Sequence, residues 1–148
     1  MRRRNWLAPA ILLVLGFAWG NSILSGDASK GVSGEMRGLL AAIFPFLEEL
    51  PEYALRKMAH FAEFAVLGFL LAWDTVQRGK TGFARFSEPV SLAMLAALID
   101  ETIQLYRPGR LSSVVDVWID TAGACTGILI LLLGYTVFAR IRKKGSSE

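Results

Sequence analysis

Cysteine, histidine and charge are all scarce in this chain, and each shortage removes a class of explanation. Cys125 is the only cysteine and lies in an apolar run, so there is no internal disulfide and no paired-cysteine zinc pattern. His60 is the only histidine, which excludes an HExxH zinc helix, and P-loop and GxSxG patterns are missing too. Charged residues make up 20% of the 148 positions and apolar residues 53%, with a mean hydropathy of +0.44. A soluble domain this small must cover most of its surface with polar groups, and this chain holds too few. The net charge of +3 and pI near 9.3 do not indicate nucleic acid. Its basic residues flank hydrophobic stretches, where lipid headgroups and the positive-inside rule place them.

What the chain does have is long apolar runs. A helix needs about 20 mostly apolar residues to cross a hydrocarbon core ~30 Å thick. Four segments approach this, at about 6–24, 53–73, 89–106 and 114–138, and predict an all-α membrane bundle of four transmembrane helices. Pro89 suits the first turn of the third. The first segment follows Arg2, Arg3 and Arg4 and is expected to stay in the membrane, because no A-x-A cleavage site closely follows Gly20. Between the first two spans, Met36, Leu39, Leu40, Ile43, Leu47 and Leu50 recur at helical spacing, predicting an interfacial helix bent at Pro45 or, equally, a short soluble-type cap on the bundle. Trp6, Trp73, Trp118 and Tyr106 lie where aromatic belts form. Residues 1–148 read as a single membrane domain.

With four crossings, ten Lys and Arg lie on one side (Arg2, Arg3, Arg4, Arg78, Lys80, Arg85, Arg140, Arg142, Lys143, Lys144). Six lie on the other (Lys30, Arg37, Arg56, Lys57, Arg107, Arg110). This bias predicts a multi-pass protein of the cell membrane with both termini cytoplasmic. The ionisable residues of the spans then share one depth, in the outer half. Arg56, His60 and Glu63 fall within a sector of about 60° on the second helix. Asp100 and Gln104 share a face of the third at i, i+4, with Glu101 beside Gln104 at i, i+3. Asp116 and Asp120 share a face of the fourth, and Gly123, Gly127 and Gly134 continue that stripe as sites of close helix approach. Lipid-facing charge costs about 2.5–3.5 kcal/mol per residue at mid-bilayer, so these groups should turn inward and meet. The alternative is an ion-pair network that only fixes helix register. Asn21 and Ser22 are expected as caps or hydrogen-bonding groups near the end of the first helix rather than as site residues.

Three motifs carry a family resemblance. Arg56-Lys57-Met58-Ala59-His60-Phe61-Ala62-Glu63-Phe64 resembles K-x-x-H-F-x-E-aromatic. Asp100-Glu101-Thr102-Ile103-Gln104 with Arg107-Pro108-Gly109-Arg110 resembles D-E-x-x-Q…P-x-R. Ser113 to Asp116, followed by Asp120 to Gly123, resembles S-x-x-D…N-x-x-G, with Asp120 where the pattern often has Asn. In this order and spacing the chain resembles the VanZ-like family of small bacterial membrane proteins. The resemblance implies a place in the cell envelope and a link to glycopeptide resistance, specifically to teicoplanin susceptibility, without implying a mechanism.

Lys57, His60, Glu63, Asp100, Glu101, Gln104, Arg110, Asp116 and Asp120 are therefore expected to form a mixed-charge, outward-facing ligand pocket. One reading is a binding module for a lipid-linked envelope headgroup or glycopeptide-like ligand, with Arg110 and Lys57, and Arg107 beside them, on phosphate or carboxylate. A second is an embedded enzyme with His60 as base or nucleophile, Glu63 or Asp116 orienting it and Arg110 stabilising negative charge. A divalent ion on Asp100, Glu101, Asp116 and Asp120 is a variant of the enzyme reading. A small proton-coupled transporter is a third. No cofactor, no resident metal and no nucleic acid is expected; membrane lipids are the expected partners, and a homo-oligomer is allowed.

Overall fold

The computed structural model describes residues 6–23, 49–109 and 112–144. Among them there are four helices and no strand: α1 Leu7–Ile23, α2 Glu52–Gln77, α3 Ala84–Leu105 and α4 Val114–Lys144. The interfacial helix expected before α2 falls mostly on 24–48, outside the described residues.

The chain direction alternates. Trp6 packs edge-on against Trp73 with ring centroids 4.9 Å apart, so α1 starts where α2 ends. Trp19 Nε1 donates to the Ala96 carbonyl at 3.2 Å and ties α1 to α3. The closest packing is between α2 and α4, which run parallel. Gly123 lies against the backbone of Phe61, Gly127 against that of Ala65, and Gly68 against that of Ala124; a Cβ at any of the three would overlap a neighbouring carbonyl oxygen. This is close approach through a G-x-x-x-G step. The expected stripe ends there, since Gly134 has open space beside it. Small residues also fill the space between helices, where Ala93, Ala96, Ala97 and Ala124 surround Phe64 and Leu67.

The exterior is apolar. Leu12, Leu13 and Phe17 on α1, Leu92 and Leu95 on α3, and Ile130, Leu133 and Phe138 on α4 are exposed, while Asp100, Asp120, Glu101 and Gln104 are buried. This is the reverse of a water-soluble bundle. Of the four expected spans, two helices are long and apolar enough to cross a membrane, Tyr53–Gln77 and Val114–Arg142. α1, with 17 residues, is shorter, and α3 carries Arg85, Glu88, Asp100 and Glu101.

Three boundaries differ from expectation, the first being the end of α2, which runs on to Gln77. α3 begins at Ala84, so Pro89 sits inside the helix rather than in its first turn. Local contacts hold the extra turn: Arg78 pairs with Glu88 at 2.5 Å, Lys80 with Glu88 at 3.5 Å, and the Arg85 guanidinium lies 5.0 Å over the Tyr135 ring. α4 runs on to Lys144, beyond the length the bilayer requires. Between α2 and α3 the chain turns at Gly79, whose φ of 77° closes a Schellman motif: Gly79 N donates to Val76 O and Lys80 N to Thr75 O.

Candidate functional site

The alternating directions bring one end of every helix together. That end holds Asn21 and Ser22 of α1, Lys57, His60 and Glu63 of α2, Asp100, Glu101 and Gln104 of α3, and Asp116 and Asp120 of α4. A small, partly open pocket lies there, lined by Arg56, Lys57, His60, Glu101, Gln104, Asp116, Ile119 and Asp120.

Each polar group has a distinct anchor. Lys57 Nζ donates to Asp116 Oδ1 at 2.6 Å, linking α2 to the first turn of α4. Ser113 caps α4, its Oγ accepting from Val115 N at 3.1 Å, as an N-cap serine does. Glu101 reaches across to the same turn. Its Oε2 accepts from Ser112 Oγ and Ser113 N, each at 2.9 Å, fastening the end of α3 to the start of α4. The Gln104 amide donates to Asp100 Oδ2 at 2.7 Å, Ser22 Oγ at 3.2 Å and Glu101 Oε1 at 3.3 Å, so its two hydrogens serve three acceptors. Asn21 hydrogen-bonds the Glu63 side chain.

Several buried atoms of the site have no hydrogen-bond partner. His60 Nδ1 stands 3.9 Å from Asp100 Oδ2, close enough for attraction and too long for a hydrogen bond. Asp100 Oδ1, Glu63 Oε2 and both oxygens of Asp120 are buried with no hydrogen-bond partner. One donor atom each from His60, Asp100 and Asp120 lies within 4.8 Å of the others, a spacing able to hold a metal ion.

Of the residues expected from sequence, Lys57, His60, Glu101, Gln104, Asp116 and Asp120 line the pocket, and Asp100 is wholly buried beside them. Glu63 lies a turn deeper, towards α1. Arg110 falls outside the described residues, and Arg107 is exposed. Sequence reasoning undervalued two groups. Arg56 lines the pocket and shares the sector of His60 and Glu63, so helical phase already marked it. Asn21 and Ser22 bond to Glu63 and Gln104, but two small polar residues at a helix end look the same as ordinary caps.

Chemically, the site offers a cationic rim (Arg56, Lys57), an imidazole beside a buried carboxylate, and an interior rich in acid. No curated protein and no solved structure matches the chain. A model of the VanZ/LLP1 family does, over residues 7–137, a stretch that starts with α1 and takes in every residue of the polar cluster. With polar groups gathered inside an apolar-faced helical bundle and a family match across nearly the whole chain, the protein is a membrane protein that belongs to the VanZ/LLP1 family.

Proposed function

We propose that this chain crosses the bacterial cell membrane four times, with both termini in the cytoplasm, and binds the headgroup of a lipid-linked envelope molecule in its outward-facing polar pocket. The observation that carries this reading is the pocket itself. It joins α2, α3 and α4 at one end of the bundle, with Arg56 and Lys57 among its lining and apolar helix faces around it. A headgroup with anionic oxygens and hydrogen-bonding groups suits that lining, while its acyl or prenyl tail stays in the surrounding lipid. The ten-to-six distribution of basic residues supports the orientation. Mass spectrometry of lipids retained by the detergent-purified chain tests the reading. A species enriched over bulk membrane lipid is expected in the wild type and depleted in Arg56→Ala and Lys57→Ala. A retained lipid profile equal to the bulk membrane, or unchanged in both variants, would overturn it.

The nearness of His60 to the fully buried Asp100 favours a second reading, an embedded enzyme in which His60 acts as base on the bound headgroup. It is distinguished by chemically altered lipid that builds up with the wild type and not with His60→Ala.

A further inference from the structure

Among the described residues, five carboxylates meet at this end of the bundle, and their partners are unequally shared. Asp116 has Lys57, Glu101 has Ser112, Ser113 and Gln104, Glu63 has Asn21, and Asp100 has Gln104 on one oxygen. Asp120 has none. It is 1% exposed, and neither oxygen accepts a hydrogen bond. Asp100, 0% exposed, leaves Oδ1 in the same condition. Buried carboxylates are ordinarily paired, hydrogen-bonded or bound to metal. Arg56 and Lys57 line the same pocket, yet among the described residues no hydrogen bond reaches Asp120 from either.

We infer that His60, Asp100 and Asp120 form a divalent transition-metal site, of the Zn²⁺ or Mn²⁺ class, at the junction of α2, α3 and α4. The donor set is one imidazole nitrogen and two carboxylate oxygens. That mixture suits zinc or manganese better than calcium or magnesium, which favour all-oxygen shells. The three donors lie within 4.8 Å of one another. Around a tetrahedral ion with bonds of about 2.1 Å, donors sit about 3.4 Å apart, so side-chain adjustments of about 1 Å complete the site. Each ligand comes from a different helix, so the ion ties the three together. His60 and Asp120 also line the pocket, which leaves a coordination position open towards it. The site stands independently of the headgroup reading. Should both hold, the ion supplies positive charge for an anionic headgroup among so many acids.

The test uses the full chain, purified in detergent, stripped with a chelator and titrated separately with Zn²⁺ and Mn²⁺. The wild type is expected to take up one ion per chain and to gain thermal stability as it does. Asp120→Asn, nearly isosteric, should weaken binding by roughly tenfold or more, while melting without metal no lower than the stripped wild type. His60→Gln should lose binding likewise, and serves if Asp120→Asn fails to accumulate. Asp74→Asn, at the opposite end of the bundle, should bind as the wild type does. A wild type that takes up neither ion overturns the site, and so does uptake unchanged in both Asp120→Asn and His60→Gln. Retained lipid without metal uptake would remove this inference and leave the headgroup reading; metal uptake without enriched lipid would do the opposite.

Discussion

Glu101 shows how one side chain can set the shape of the site. It accepts from Ser112 Oγ and Ser113 N across the connection between α3 and α4, and it also meets Gln104. Hydrogen bonds to a charged acceptor contribute about 1.5–3 kcal/mol each, and losing them strands partly buried donors. Glu101→Ala is therefore expected to destabilise the protein by about 2–4 kcal/mol, seen as a lower melting temperature in detergent. His60 should behave differently, since it lines the pocket. If the pocket acts on an envelope ligand, His60→Ala abolishes the envelope phenotype while the protein still accumulates in the membrane. Glycopeptide susceptibility, scaled by membrane protein level, is the readout that the sequence resemblance suggests for this proposal. Loss of phenotype only in proportion to lost protein would leave the polar cluster as scaffold.

Among elements, the α2–α4 contact is the least tolerant of change. Gly127→Leu would drive a side chain into the Ala65 backbone, which cannot yield as a flexible side chain would. The loss should exceed the about 1–3 kcal/mol typical of overpacking, and little folded protein should accumulate. Gly134→Leu, with open space around it, should change stability by no more than about 0.5 kcal/mol. The pair measures where the helix contact ends. At the opposite end, the hydrogen bond from Arg78 holds the Glu88 carboxyl below the usual carboxylate range, with Lys80 adding to it. A carboxyl depressed in the folded state stabilises above its unfolded pKa of about 4.3 and loses that contribution as pH falls through the folded value. Glu88→Gln should melt below the wild type at neutral pH, and the two should converge in acid. The same contacts explain why Pro89 misleads as a helix start. A proline in sequence marks a tolerated position, while the turn before it depends on Arg78 in the preceding turn and on Tyr135, which is distant along the chain. Helical spacing did make the shared faces of Asp100 with Gln104 and of Asp116 with Asp120 legible. It could not show that Asp116 would take Lys57 and leave Asp120 unpaired, because that choice depends on how α2 and α4 lie against each other.

At the scale of the whole molecule, the distribution of polarity and the direction of the chain make one argument. Alternating helices put every buried acid at one end and the Arg78–Glu88 and Lys80–Glu88 pairs at the other. An apolar exterior leaves lipid as the medium that such a surface fits. In the proposed topology the end with fewer Lys and Arg faces outward. Single cysteines placed in a Cys125→Ala background test this in intact cells with an impermeant thiol reagent. Ser112→Cys, in the α3–α4 connection, should label from outside. Thr81→Cys, in the α2–α3 turn, should label only after the membrane is opened. The reverse pattern would invert the protein and place the polar pocket towards the cytoplasm, where a headgroup displayed on the outer face could not reach it. Labelling of both from outside would mean that α3 does not cross. The Arg85, Glu88, Asp100 and Glu101 side chains would then argue for a helix held inside the bundle or at its interface, with α2 and α4 as the spanning pair.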